Sequence, residues 1–127
     1  MMNHTDTEQQ HIIDALRGIR TPATPGEFDI HAAVAAAMTE AGIAFHHEYR
    51  LAPRCRIDFL AGRIGLEIKK GRPAPALLRA QIARYLESDE LDALIVVTQR
   101  AVSLPRTIAD KPIEQISLNR LWGVALP

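Results

Sequence analysis

Residues 91–98, LDALIVVT, form a continuous apolar run in the second half of the chain. A short run of this kind, rich in β-branched residues, is typical of a strand that is buried on both faces of a sheet. Helical spacing precedes it over residues 74–87, with Leu78, Ile82 and Tyr85 on one side. A strand reached through a helix is typical of a parallel crossover, so the chain is predicted to build a sheet covered by helices.

Three further strands are predicted before that helix, at residues 44–51, 54–60 and 63–69. Pro53 separates the first strand from the second, and Ala-Gly-Arg at 61–63 supplies a tight turn between the second and the third. These three strands are therefore predicted to form an antiparallel meander.

Another helix is predicted before the meander. Thr24, Pro25 and Glu27 follow the pattern of an N-cap, a proline in the first turn and the glutamate of a capping box, and Gly42 ends the helix. Glu27 and His31 lie at the start of its apolar stripe. The order helix, three strands, helix, strand predicts an α/β (α+β) fold with a mixed central sheet flanked by helices.

A chain of 127 residues with 47% hydrophobic composition fits a single domain. Residues 1–20 carry a short amphipathic helix that we expect as an appendage, residues 24–98 are the expected core, and residues 99–127 are a C-terminal extension. Within that extension, IEQIS predicts one more strand, and SLNRLWGVAL predicts a closing turn or short helix.

Fifteen basic and fifteen acidic residues cancel, so the net charge indicates neither a nucleic-acid nor a membrane partner, and any such partner must meet a local patch. The single cysteine, Cys55, excludes an internal disulfide framework and is typical of a reducing compartment. No leader pattern is visible, and no apolar run approaches the roughly 20 residues of a membrane span. We therefore expect a soluble cytoplasmic protein that does not enter a membrane.

The segment RIGLEIKKG places two charges in an apolar strand. Successive strand side chains point to opposite faces, so Ile64, Leu66 and Ile68 are predicted to share one face, and Glu67 and Lys69 the other. In the preceding strand, Cys55, Ile57 and Phe59 are predicted to alternate with Arg56, Asp58 and Leu60. If residues 62–63 form a two-residue loop, Asp58 lies directly across from Glu67.

Two opposed carboxylates repel each other, so a positive group should compensate them. One interpretation is a solvated surface cluster of Asp58, Glu67 and Lys69. The other is a divalent metal site, because Mg²⁺ takes oxygen ligands, usually one or two carboxylates with water and phosphate. Gln81 and Tyr85, four residues apart on one face of the following helix, favour the second interpretation.

In this combination the chain resembles the PD-(D/E)XK nuclease superfamily, whose shared core has the order helix, three strands, helix, strand. The matching residues are Asp58 in IDF, Glu67 and Lys69 in EIK, and Gln81 and Tyr85 in QIARY. The last pair is similar to the Q-x-x-x-Y signature of nuclease domains in bacterial recombination helicase-nucleases and in related phage and prophage exonucleases. The resemblance covers most of the chain and implies a restriction-endonuclease-like fold.

The chain departs from the family pattern at two points. Ile57 stands where the motif has proline, and two residues, Glu27 and Glu48, compete for a further acidic position, with Glu27 slightly favoured because it opens the apolar stripe. His31 is expected to be a packed or surface histidine rather than a ligand. His46 and His47 are expected at the rim of the site.

The resemblance implies a metal-dependent deoxyribonuclease. Asp58 and Glu67 would hold Mg²⁺ or Mn²⁺, with the backbone carbonyl of Ile68 as a possible further ligand and Glu27 or Glu48 completing the set. Lys69 would orient the attacking water or stabilise developing charge. Gln81 and Tyr85 on the following helix would position Lys69 and the scissile phosphate.

Four basic residues just beyond the third strand and along the next helix are expected to contact DNA phosphates: Lys70, Arg72, Arg79 and Arg84. Four more arginines are candidates to extend this patch: Arg50, Arg54, Arg56 and Arg63. No sequence-specific DNA-reading motif is visible. The alternatives are a catalytically inactive nuclease-like protein for DNA binding or assembly, and an interaction protein with a solvated sheet face. The small size suggests a homodimer or a partner protein.

Overall fold

The structure is a computed structural model that describes residues 4–19 and 26–118. Its helices are α1 (His4–Leu16), α2 (Glu27–Glu40) and α3 (Pro75–Leu86). Its strands are β1 (His46–Ala52), β2 (Cys55–Ala61), β3 (Ile64–Lys69), β4 (Ala93–Thr98), β5 (Thr107–Ile108) and β6 (Lys111–Ser117). The predicted order of helices and strands is therefore observed, together with the predicted N-terminal helix α1 and a strand β6 at IEQIS, and β5 was not predicted.

The six strands form one mixed sheet in the order β1-β2-β3-β4-β6-β5. Strands β1, β2 and β3 are the predicted antiparallel meander, whereas β4 lies parallel to both β3 and β6. All six residues of β4 are buried, as its apolar run predicted. The IEQIS segment lies in β6, which also confirms the prediction of a further strand.

Helices cover both faces of the sheet. On one face, α2 packs Ile30, Val34 and Met38 against the sheet, in a core that also contains Phe59 of β2. On the other face, α3 packs its apolar side in a second core that contains Ile57. The predicted helix-flanked mixed sheet is therefore present.

Helix α1 belongs to the core rather than lying beside it. Ile12 and Leu16 are 2% and 0% exposed and pack in the same core as α2. The expected appendage is thus a structural helix, because its apolar stripe finds a partner surface in α2, β3 and β4.

The start of α2 differs from the predicted capping box. Its N-cap is Gly26, and the carboxylate of Asp29 accepts a hydrogen bond from the Gly26 backbone N–H at 2.8 Å. Asp29 therefore supplies the capping-box carboxylate that the sequence pattern predicted at Glu27, and the Glu27 side chain is available for other contacts. Thr24 and Pro25 lie outside the described residues, as do residues 119–127 of the predicted closing segment.

Strands β2 and β3 are joined by the predicted two-residue loop at 62–63. Ala61 pairs with Ile64, and Gly62 has a φ of 63°, a backbone conformation that glycine adopts without strain. Within residues 4–19 and 26–118, no helix combines the length and the apolar character that crossing a membrane requires.

Candidate active site

Strands β2 and β3 separate at the two acidic residues, Asp58 and Glu67. Their regular pairing ends at Phe59 and Leu66, and the next pair in that register is Asp58 and Glu67. There, the Ile68 backbone N–H donates to Asp58 Oδ2 at 2.7 Å, and the Asp58 backbone N–H donates to Glu67 Oε1 at 3.3 Å. Each carboxylate thus replaces a lost sheet hydrogen bond, which fixes both side chains between the strands.

The predicted alternation of β2 is wrong at Asp58. Ile57 packs in the α3-side core and Phe59 in the α2-side core, although residues two apart in a regular strand share a face. On β1, Glu48 lies between the pairs that flank Asp58 and has a φ of 57°, which is rare for a residue other than glycine. Both strands are therefore distorted at the site.

Glu67 lies in a site where ionisation is costly. Its side chain faces α3 and the residue is 4% exposed, so the interpretation of a solvated cluster is wrong for this residue. Burial, and secondly the charge of Asp58, raise the pKa of Glu67 to about 7. Lys69 Nζ lies 3.3 Å from Glu67 Oε2 and partly offsets this increase.

Gln81 and Tyr85 of α3 hold Glu67 in place. Gln81 Nε2 lies 3.3 Å from Glu67 Oε2 and donates to the Tyr85 hydroxyl at 2.9 Å. That hydroxyl donates to the Arg56 backbone carbonyl at 3.3 Å. Burial and the Glu67 charge raise the pKa of Tyr85, so it stays neutral. Within the described residues, the hydrogen bonds of the pair therefore reach Glu67 and the Arg56 carbonyl, whereas the resemblance implied that the pair positions Lys69 and the scissile phosphate.

His31 of α2 approaches the site from the opposite face, which the sequence did not predict. Its Nε2 lies 3.7 Å from Asp58 Oδ2 and 3.6 Å from Glu27 Oε2, and its Nδ1 lies 2.9 Å from His47 Nε2. His31 is 8% exposed, and its Nε2 has no hydrogen-bond partner among the residues that the structure describes. The sequence signal for this approach is the position of His31 one helical turn after Glu27.

Both candidates for the further acidic position lie on one side of this histidine. Glu27 and Glu48 line a cavity of about 240 Å³ together with Phe28, His31 and His47. Glu27 is linked to Asp58 through His31, whereas Glu48 lies across from Asp58 on the neighbouring strand, so both stay candidates for this position.

The donor set suits a hydrated divalent ion. Within residues 4–19 and 26–118, no three His, Cys, Asp or Glu side chains are grouped so that they would form a complete metal cage. Asp58 and Glu67 nevertheless place two carboxylates close enough that the charge of Asp58 adds to the effect of burial in raising the pKa of Glu67, and a cation held by both would offset this repulsion. Mg²⁺ is commonly bound by one or two carboxylates and retains several waters, so these residues fit it.

The predicted DNA-contacting residues lie at the surface of the molecule. Lys70 and Arg72 follow β3 directly, and Arg79 and Arg84 lie on α3; all four are exposed. Arg63, in contrast, pairs with Asp92 at 2.8 Å at the start of β3. Arg63 precedes Lys69 by six positions, roughly 20 Å along the strand, so Arg63 does not extend the patch.

Comparison of the chain with protein-family models, with curated proteins and with solved structures finds no match.

Proposed function

We propose that this protein is a metal-dependent nuclease with a restriction-endonuclease-like fold that hydrolyses phosphodiester bonds in DNA. The observation that carries the proposal is the pair of carboxylates fixed where β2 and β3 separate, with Lys69 Nζ 3.3 Å from one of them. Few structural roles require two acids to be held together at such a cost in ionisation.

Different residues of the site would bind the metal, bind the phosphate and orient the carboxylate in such an enzyme. Asp58 and Glu67 would hold Mg²⁺ or Mn²⁺, an ion that supplies an activated water and neutralises charge on the phosphate. Lys69 is 28% exposed at its side chain and places a cation beside the carboxylates, where it can bind a phosphate oxygen. Gln81 donates to the Glu67 carboxylate and keeps it oriented.

The composition of the chain supports recognition of the DNA backbone rather than its sequence. Only 5% of the residues are aromatic. Recognition of the backbone needs cations that contact phosphates. The exposed basic residues beyond β3 and along α3 can supply these contacts: Lys70, Arg72, Arg79 and Arg84.

The test is cleavage of labelled linear, nicked and branched DNA with Mg²⁺ or Mn²⁺ by wild type, Asp58→Asn and Lys69→Met. We expect metal-dependent cleavage that falls at least about 100-fold in both variants. Glu114→Gln, at an exposed acid on β6, is the matched control and should cleave as wild type does. Wild-type protein that binds DNA but cleaves none of the three substrates would favour the inactive DNA-binding alternative.

A further inference from the structure

Two arginines face each other across the outer hairpin of the sheet. Arg50 of β1 and Arg56 of β2 are directly paired, and both are exposed. Like charges directly opposite each other destabilise a strand pair. Arg54 lies in the turn between these strands with a φ of 60°, so the same hairpin end carries a third guanidinium group.

No acid compensates these charges in the described part of the chain. The ion pairs there join other residues, and none includes Arg50, Arg54 or Arg56. Arg63 shows the contrast, because the Asp92 carboxylate accepts hydrogen bonds from its guanidinium group and holds its pKa above the ordinary value. The hairpin end therefore carries concentrated positive charge without an internal counterion.

The three arginines line a concave surface. Arg50, Arg54 and Arg56 line a cavity of about 240 Å³ together with Cys55. Arg84 of α3 also reaches this end, where its Nη2 donates to the Arg54 backbone carbonyl at 3.2 Å. A concave cluster of planar cations suits an anion with several oxygens, because guanidinium groups bind phosphate in a bidentate manner.

This surface adjoins the candidate active site along β2 and is linked to it by hydrogen bonds. Arg56 and Asp58 are two residues apart on β2, a separation of roughly 7 Å along a strand. The Arg56 backbone carbonyl accepts the hydrogen bond from the Tyr85 hydroxyl, which in turn is bonded to Gln81. A backbone phosphate held at the hairpin would therefore flank a phosphodiester held beside Asp58.

We propose that Arg50, Arg54 and Arg56, here called the arginine surface, bind the phosphodiester backbone of a nucleic acid next to the bond that is cleaved. The inference rests on the proposed function, and it adds a docking surface on the β1–β2 hairpin to the basic residues beyond β3. Binding of phosphates also relieves the repulsion between the opposed arginines.

The first experiment measures binding without cleavage. Fluorescence anisotropy of a labelled 20-base-pair duplex in EDTA compares wild type with the double variant Arg50→Ala/Arg56→Ala. We expect binding at least about tenfold weaker at 50 mM salt, and a slope of log K against log salt that is smaller by about 2, since each lost phosphate contact contributes roughly 0.9. Unchanged affinity and slope in the double variant would overturn the proposal, as would absence of wild-type binding.

The matched control is Arg17→Ala/Arg106→Ala, which removes two exposed arginines from other parts of the molecule and should leave affinity and slope unchanged. Thermal unfolding tests whether these arginines stabilise the fold instead, because loss of stabilising residues would lower the unfolding temperature. The Arg50→Ala/Arg56→Ala variant should unfold at the same temperature as wild type or a higher one, because repulsion is removed. A lower unfolding temperature would mean that these arginines stabilise the fold.

A further arm distinguishes a nucleic-acid backbone from a small anion. Inorganic phosphate, compared with KCl at matched ionic strength, should displace the duplex no better than KCl does. Specific displacement by phosphate would show a small-anion site and would contradict the proposal. Failure of the nuclease proposal has a separate signature: the wild type binds DNA through the arginine surface, and Mg²⁺ or Mn²⁺ produces no cleavage.

Discussion

At the scale of single residues, Glu67 carries the largest electrostatic conflict of the site. Burial and the neighbouring Asp58 both oppose its ionisation, whereas Lys69 and Gln81 support the charged form. The result is a carboxyl group whose pKa of about 7 lies well above its ordinary value of 4.5. Such a group holds its proton more tightly in the folded protein than in the unfolded chain.

This shift predicts how the stability of the metal-free protein depends on pH. Since the folded pKa is raised, the Glu67 contribution is most favourable below about pH 4.5 and is lost as pH rises towards about 7. The loss attributable to this residue is about 3 kcal/mol. Urea unfolding in EDTA measures it, and Glu67→Gln should remove this part of the slope and be more stable than wild type at pH 8. Parallel curves for the two proteins would contradict the prediction.

Tyr85→Phe tests the hydrogen bonds that orient Glu67. The substitution removes the acceptor of Gln81 and the donor to the Arg56 carbonyl, so we expect a stability loss of about 1–2 kcal/mol. If the proposed function holds, kcat should fall about 10–100-fold. The control is Tyr49→Phe, which removes a hydroxyl that donates to Glu90 rather than to a residue of the site, and it should cleave as wild type does. Full activity of Tyr85→Phe would exclude a positioning role.

At the scale of elements, β3 followed its sequence pattern and β2 did not. Ile64, Leu66 and Ile68 share the α2-side core, as period-two alternation predicts. In β2 the periodicity changes face at Asp58, because the strand leaves its partner there and a carboxylate takes over the hydrogen bond to Ile68. Alternation rules assume an unbroken ladder, so they fail where the site itself breaks it.

Gly65 of β3 leaves space for the side chains of Ile57 and Leu94. A Cβ atom at Gly65 would lie 2.4 Å from Ile57 Cδ1 and 3.0 Å from Leu94 Cδ1. Gly65→Ala should therefore cost about 1–3 kcal/mol of unfolding free energy, as overpacking does. Ile57→Val removes the nearest atom, so Gly65→Ala should cost less in that background. Gly18→Ala, where a Cβ meets only one carbonyl oxygen at 3.9 Å, is the control, and equal costs in both backgrounds would contradict the clash.

Helix α1 supplies a second prediction at this scale. Leu16 is fully buried in the core that α2 and the sheet share, so Leu16→Ala should cost about 2–5 kcal/mol. The pattern of apolar residues predicted the helix, but it did not predict which surface would cover them. Urea unfolding measures the cost, and a loss below about 0.5 kcal/mol would show that α1 lies beside the core as an appendage.

At the scale of the whole molecule, the site is assembled from layers on opposite faces of the sheet. His31 of α2 approaches Asp58 from one face, and Gln81 of α3 approaches Glu67 from the other. The sequence supported Gln81 through its four-residue spacing from Tyr85. It did not support the approach of His31 to Asp58, because residues 27 positions apart meet only after α2 has packed on the sheet.

This assembly predicts that metal binding and folding are coupled. Asp58 and Glu67 come together only in the folded chain, so a cation held by both stabilises the native state, by about 2.7 kcal/mol when its concentration is 100 times the dissociation constant. Thermal unfolding at pH 7.5 with increasing MgCl₂ should therefore show a rising midpoint for wild type and for Glu114→Gln, but not for Asp58→Asn. Below pH 7 the effect should shrink, because the ion must then displace the proton that Glu67 retains. An equal rise in Asp58→Asn would place the ion elsewhere and would remove the main support for a catalytic metal at this site.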